Sequence, residues 1–390
     1  MTATSQRYDY FVVGLGALGS ATAWELSRRG YRVLGLERFS LGHDRGASHD
    51  TSRILRHSYH TPAYVRLTLE AYQDWARLEQ SCGQELVTKV GGLDFFPHQA
   101  AIDPSDYTAA MDEVGIDYET LDAGQVNARW PMFALADDVV SLYQPDSAIV
   151  PAGRGTAVMQ ELARRHGADL RDNIRVTQVR ATSEGGVEVV AGGTSYAADG
   201  VVVTADAWTN DVLAGLGVHI PLEVTLEQVT YFAPSVPDRF DPAKMPLWIW
   251  MDDPSFYGFP CYGEATLKAA QDCGGPIVDP ETRTFEVDQE MQDRLAAFMR
   301  TTVPGSGEVV RSLRCQYTLT RDRDFVVSAV PGNEQIVVGL GAAHGFKFAP
   351  TFGRMLADLI STGRTSSDIT AFGLDRQAIT DPDYQAHWLV

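Results

Sequence analysis

The chain has 390 residues, 44% of them hydrophobic, enough for two domains or one composite one around an ordinary globular core, which excludes a disordered polypeptide. With 32 basic against 51 acidic residues its formal charge is -19, which disfavours nucleic acid and anionic membranes as partners and obliges any anionic ligand to find a local basic patch. No apolar run reaches the roughly 20 residues of a membrane span, and Cys82, Cys261, Cys273 and Cys315 lack both zinc-site spacing and disulfide-scaffold density, so the expectation is a cytoplasmic protein without a metal.

The first predicted elements are a strand over Tyr8–Val13, a turn Gly14-Leu15-Gly16-Ala17-Leu18-Gly19, a helix through Arg29 stopped by Gly30, and a strand over Arg32–Leu36. Glycine is required at such a turn for its tightness, for close approach of backbone to a pyrophosphate, and for packing of helix on strand. The helix N-terminus then presents unpaired N–H groups to the phosphates. Glu37, 23 residues after Gly14, ends the second strand where a carboxylate can accept from an adenosine ribose. This context marks a Rossmann-type dinucleotide site, with Gly14, Gly16, Gly19 and Glu37 as cofactor contacts, and leaves FAD and NAD both open.

Beyond a polar stretch to Thr51 lies the basic segment Ser52-Arg53-Ile54-Leu55-Arg56-His57, followed by a predicted helix from Pro62 to about Gln80. Short strand patterns with Pro and Gly punctuation fill the middle third and predict an antiparallel sheet. A helix near Gly153–Arg165, strands near Ile174–Val179 and Gly186–Val190, and the apolar Gly200–Val203 predict a return to the nucleotide domain, with Val176 as a cofactor contact. The sheet-like region Pro221–Tyr262 leaves it again. At the end come a buried strand over Gln335–Gly339, a turn through His344-Gly345 and a helix from about Pro350 to Ile360.

Three separated motifs, Ser48-His49-Asp50-Thr51-Ser52-Arg53-Ile54-Leu55-Arg56-His57, Arg314-Cys315-Gln316-Tyr317-Thr318 and His344-Gly345-Phe346-Lys347-Phe348, occur in an order and at separations that can be recognised. The chain resembles the monomeric sarcosine oxidase and N-methyltryptophan oxidase family over nearly its whole length, including Tyr257-Gly258-Phe259-Pro260 and Ala207-Trp208. The resemblance implies FAD, attached covalently through a cysteine thioether, and Cys315 holds the matching position. A thiol reacts in this way only as its thiolate, so basic neighbours should help, Arg314 among them.

The resemblance further implies that His49 and Arg53 sit at the flavin ring, where positive charge stabilises the reduced cofactor. Ser48, Ser52, Gly345 and Lys347 join the cofactor contacts. Arg56 and Lys347 resemble the pair that grips a substrate carboxylate, Tyr257 and Tyr317 match aromatic walls of the substrate pocket, and Lys268 matches the lysine that promotes reaction with dioxygen.

Two departures stand out. Asp272 replaces a histidine that faces the substrate in the sarcosine oxidases, and would repel a simple anion unless the substrate carries a cation or Asp272 is turned away or paired. Before the flavin-facing arginine, His49-Asp50-Thr51-Ser52 replaces the family's histidine-glycine-aspartate-threonine, a change expected to be tolerated. The aromatic, acidic stretch Leu247-Trp248-Ile249-Trp250-Met251-Asp252-Asp253 is expected to line a pocket larger than sarcosine needs.

The fold expected is α/β, a Rossmann-type FAD-binding domain (1–85, 146–220 and 318–390) with a mostly antiparallel β-sheet substrate domain (86–145 and 221–317). The function expected is FAD-dependent oxidation of a C–N bond in a small secondary or tertiary amine or N-methyl amino acid, by a monomer that passes electrons to dioxygen and yields hydrogen peroxide. The alternatives are a dehydrogenase of the same fold with another acceptor, a flavin-binding protein without turnover, and an NAD-dependent dehydrogenase.

Overall fold

The computed structural model describes residues 7–385. The strand Tyr10–Val13 runs parallel to Val33–Leu36 on one side and to Gly200–Val203 on the other, and the six-stranded sheet is completed by Asn333–Leu340, the antiparallel edge Val326–Val330, and Asp169–Arg171. The three central strands, Tyr10–Val13, Val33–Leu36 and Gly200–Val203, carry no charged residue because both faces of a parallel sheet are covered. Val12, Val33, Val202 and Val337 face a helical layer, while Phe11, Leu34, Val201 and Ile336 pack against a small antiparallel sheet of Val176–Ala181, Val187–Ala191 and Thr194–Ala198. The segments expected near 174 and 186 therefore return to the nucleotide layer as a separate sheet stacked on it.

The helical layer consists of Ala17–Arg28, Pro62–Cys82, Ala152–Arg165 and Ala349–Thr362. Pro62 opens its helix where a missing N–H costs nothing, after Thr61 caps it by accepting from the Tyr64 N–H, and Gly83 closes it with φ +68°.

The second layer is an eight-stranded sheet. In spatial order its strands are Glu308–Thr320, Leu222–Ala233, Leu267–Asp272, Ser255–Phe259, Leu247–Trp250, Gly92–Phe96, Val140–Gln144 and Glu119–Asp122. Only Leu247–Trp250 and Gly92–Phe96 pair in parallel; every other neighbour is antiparallel. Phe96, Leu142, Ile249 and Met251 from this sheet join the core that holds Val12 and Trp24, so one apolar body runs through both layers.

Alternation along Leu247–Trp250 corrects the expectation for that stretch. Trp248 and Trp250 point away from the site and pack on Phe298, whereas Ile249, Met251, Asp252 and Asp253 line a cavity. Side chains of a strand alternate, so only half of an aromatic run reaches any one face.

Among the described residues no helix is long and apolar enough to cross a membrane, and no cluster of His, Cys, Asp and Glu is arranged to hold a metal ion.

Candidate active site

Two cavities meet at the junction of the layers and share Ala47, Ala343 and Phe346 as walls. The first follows the C-terminal ends of the parallel strands. Gly14 has φ +88°, and a Cβ there would lie 2.4 Å from the Thr204 carbonyl oxygen. A Cβ on Gly19 would fall 1.9 Å from the Gly14 carbonyl oxygen, so the helix could not approach the strand. At Gly16 the nearest atom to a Cβ is the Ser48 hydroxyl at 3.1 Å, and the rest of that side faces the groove. Each glycine thus serves one of the three needs of a pyrophosphate turn.

Glu37 accepts from the Leu15 N–H at 2.7 Å and the Phe39 N–H at 3.0 Å, with His43 beside it. Burial works against its charge, but these donors outweigh burial and hold the carboxyl below its usual range. Ser48 accepts from the Ala17 N–H at 2.9 Å, tying the basic loop to the helix N-terminus. His49, Val176 and Gly345 also line this groove. Its far end is closed by Arg38 and Trp208, both bonded to Glu281, a latch with no signature in the sequence.

The second cavity, of about 750 Å³, is walled by Arg53, Arg56, Tyr257, Asp272, Cys315, Tyr317 and Lys347. These seven come from five separate segments, and the fold brings all of them to one space. Arg53 donates to the carbonyls of Ala47, His49 and Ser52, so the guanidinium also shapes the loop that carries it. Arg56 is paired with buried Asp94 at 2.9 Å and lies over the Tyr59 ring. Burial pushes the Asp94 carboxyl up and the guanidinium pulls it back, so Arg56 offers only its remaining donors to a ligand. Asp94 lies 38 residues away in sequence and nothing local announces it.

Lys347 donates to the His344 carbonyl at 3.1 Å and, among the described residues, has no carboxylate in direct contact. Burial, then the neighbouring Arg56, lowers its pKa to about 7, with Asp272 pulling the other way. Asp272 accepts from the Tyr317 hydroxyl at 3.1 Å and faces the cavity, so it is not turned away.

The electrostatics differ from expectation at two residues. Burial, then Arg53, lowers the His49 pKa to about 4, so its imidazole is neutral and positive charge near the junction rests with Arg53. Burial pushes the Cys315 thiol up to about 11, against the pull of Arg53 and Lys268. Arg314 gives the thiol no help, because it points to the opposite face of the strand and donates to the Leu226 carbonyl and Gln228.

Lys268 lines neither cavity. Its ammonium is 2.6 Å from Asp50 and donates to the Ser52 carbonyl at 3.0 Å and, longer, to the Ser52 hydroxyl at 3.4 Å, directly behind Arg53.

A glycine turn on a helix N-terminus, an acceptor carboxylate at the end of the second strand, and a groove running into a second cavity define a dinucleotide-dependent oxidoreductase. A family profile described as FAD dependent oxidoreductase matches residues 9–359, so the chain belongs to the FAD-dependent oxidoreductase family. It is 34% identical to the monomeric sarcosine oxidase of Streptomyces avermitilis over 96% of this chain and 99% of that protein. It is 29% identical to the N-methyl-L-tryptophan oxidase of Yersinia pestis over 95% and 99%. Among solved structures, the open form of NikD, an unusual amino acid oxidase essential for nikkomycin biosynthesis, superposes with a TM-score of 0.85 at 29% identity, covering 99% of each chain.

Proposed function

We propose that this FAD-dependent oxidoreductase oxidises the C–N bond of a small secondary or tertiary amino acid carrying both a carboxylate and an amine. The observation that carries the reading is the second cavity, where Lys347, with no carboxylate in contact among the described residues, lines the same space as Asp272, Tyr257 and Tyr317. Lys347 and Asp272 offer the two charges that a zwitterion needs, in a cavity that Arg53, Arg56, Asp252 and Asp253 also line. The similarity to sarcosine and N-methyltryptophan oxidases over the whole chain supports the same substrate class.

The residues fit the cofactor. Gly14, Gly16 and Gly19 with Ser48 would hold the pyrophosphate, Glu37 the ribose, Val176 and Gly345 the groove wall, and Arg53, His49 and Ser52 the ring end. Bound there, FAD would accept two electrons from the substrate. A secondary amine with an α-hydrogen loses two electrons and two protons to give an imine, a tertiary one two electrons and one proton to give an iminium ion, and water then splits either into an amine and a carbonyl compound. Dioxygen as acceptor would take up two electrons and two protons and leave as hydrogen peroxide, with Lys268 supplying positive charge.

Lys347, with the remaining donors of Arg56, would fix the substrate carboxylate, while Asp272 would offer an oxygen to the ammonium group. Tyr257 and Tyr317 would exclude water from the reacting carbon.

Cys315 would tether the cofactor by a thioether at the 8α-methyl, the thiol and the methyl each losing a hydrogen as the S–C bond forms, with the two electrons passing through the flavin to its acceptor. The division into a cofactor part (1–85, 146–220, 318–390) and a substrate part (86–145, 221–317) belongs to the same proposal. It is supported by the parallel sheet drawing every strand from the first set. The reading is of a monomer working in the cytoplasm.

Acid precipitation of the yellow protein tests the tether. Colour should remain in the wild-type pellet and leave with the supernatant of Cys315→Ala; colour released from both would remove Cys315 from this role. A substrate panel tests the class: N-methyl or cyclic amino acids should be turned over, and exclusive turnover of amines lacking a carboxylate would overturn it.

A further inference from the structure

The loop 47–53 departs from the family pattern at Asp50, where the resemblance expects glycine, and the backbone there still has the glycine-like φ of +79°. An aspartate held in the left-handed region carries strain that the surroundings must offset. Here they do so through a buried ion pair. Asp50 Oδ2 lies 2.6 Å from Lys268 Nζ with each side chain 4% exposed, and the Tyr231 hydroxyl donates to the other carboxylate oxygen.

The remaining charged and titratable groups around Lys268 oppose its charge or do little for it. Arg53 and His49 flank it on the same loop, the first cationic and the second neutral. Cys315 faces it from the strand Glu308–Thr320 as a protonated thiol. Phe259 presents its ring at 5.2 Å, and Tyr231 is covered on its other side by Arg311. Among the described residues Asp50 is therefore the one carboxylate in contact with an ammonium that is removed from water and set beside a guanidinium.

We infer that Asp50 is a positioning residue that holds the Lys268 ammonium against Ser52 and keeps it protonated at neutral pH, so that reoxidation by dioxygen stays available there. The inference rests on the oxidase reading above for its second half only. Burial, then Arg53, lowers the Lys268 pKa to about 8 even with Asp50 opposing both. Loss of the carboxylate moves it further down, into the range where the side chain is neutral at pH 7.5.

Lys89, Lys244, Lys268 and Lys347 are the only lysines of the chain, so protein labelled with carbon-13 at lysine Cε gives a sparse spectrum in which Lys268→Met assigns the signal. In the oxidised holoenzyme, Asp50→Asn should move the Lys268 midpoint down by at least about one unit, and Asp50→Glu should retain it. Asp50→Gly accepts the left-handed backbone without strain, so it gives the same shift even where Asp50→Asn fails to fold.

In parallel, reduced enzyme mixed with dioxygen at pH 7.5 should react at least about threefold more slowly in Asp50→Asn, following the protonation lost over one unit, and anaerobic reduction by substrate should change much less. An unmoved lysine midpoint in both the Asn and Gly variants overturns the assignment of Asp50. A shifted midpoint with an unchanged oxygen rate in Asp50→Asn and in Lys268→Met leaves the positioning of Lys268 standing and overturns its proposed role in the reaction with dioxygen instead.

Discussion

Among single residues, Lys347 carries the sharpest consequence. Its pKa of about 7 means that a carboxylate ligand meets an ammonium below that pH and a neutral amine above it. Affinity for a small carboxylate should be level below pH 7 and weaken by up to about tenfold per unit above, as a one-proton linkage requires. Titrating the flavin spectrum with such an anion between pH 6 and 9 measures this. In Lys347→Met the pH dependence should vanish; its persistence would move the titrating group elsewhere. Arg56 cannot supply it, because its guanidinium stays charged against Asp94 across this range.

The helix Ala17–Arg28 shows how little tolerance an element has once packing sets its position. Gly19→Ala would place a methyl 1.9 Å from one backbone oxygen and 2.5 Å from the Thr204 hydroxyl, so the helix must withdraw from the strand. Overpacking of this kind costs about 1–3 kcal/mol, and here it also displaces the N–H groups that face the groove. The variant should purify with substoichiometric flavin and a lowered Tm; full flavin content would show that the helix shifts without opening the site. The turn, helix and second strand were legible in the sequence because their constraints are local: an apolar strand, glycines at fixed spacing, and a carboxylate after the second strand. Along Leu247–Trp250 the same reasoning reached only the existence of the strand. Which of its side chains face the cavity was decided by the pairing of Trp250 with Phe256 in the next strand and with Phe95, a partner remote in sequence.

For the whole molecule, the cofactor groove is assembled from the first strand, the loop near 48, the strand near 176 and the turn near 345, while a continuous apolar core joins the two layers. A ligand bound at such a junction stabilises everything it spans. In Cys315→Ala, where FAD would bind reversibly, each tenfold rise in free FAD above its Kd should add about 1.4 kcal/mol to the stability of one cooperative transition. Calorimetry at several FAD concentrations tests this, and a second transition indifferent to FAD would show that the substrate layer melts alone.

The dinucleotide turn, the parallel core strands and the order of the three family motifs could be read from the chain, since each is a matter of spacing and residue type within a short stretch. The pairing of Arg56 with Asp94, the pairing of Lys268 with Asp50, the turn of Arg314 away from Cys315 and the neutrality of His49 could not. Each depends on which segments, tens to hundreds of residues apart, are buried against one another, and burial is what sets both the partner and the charge of an ionisable side chain.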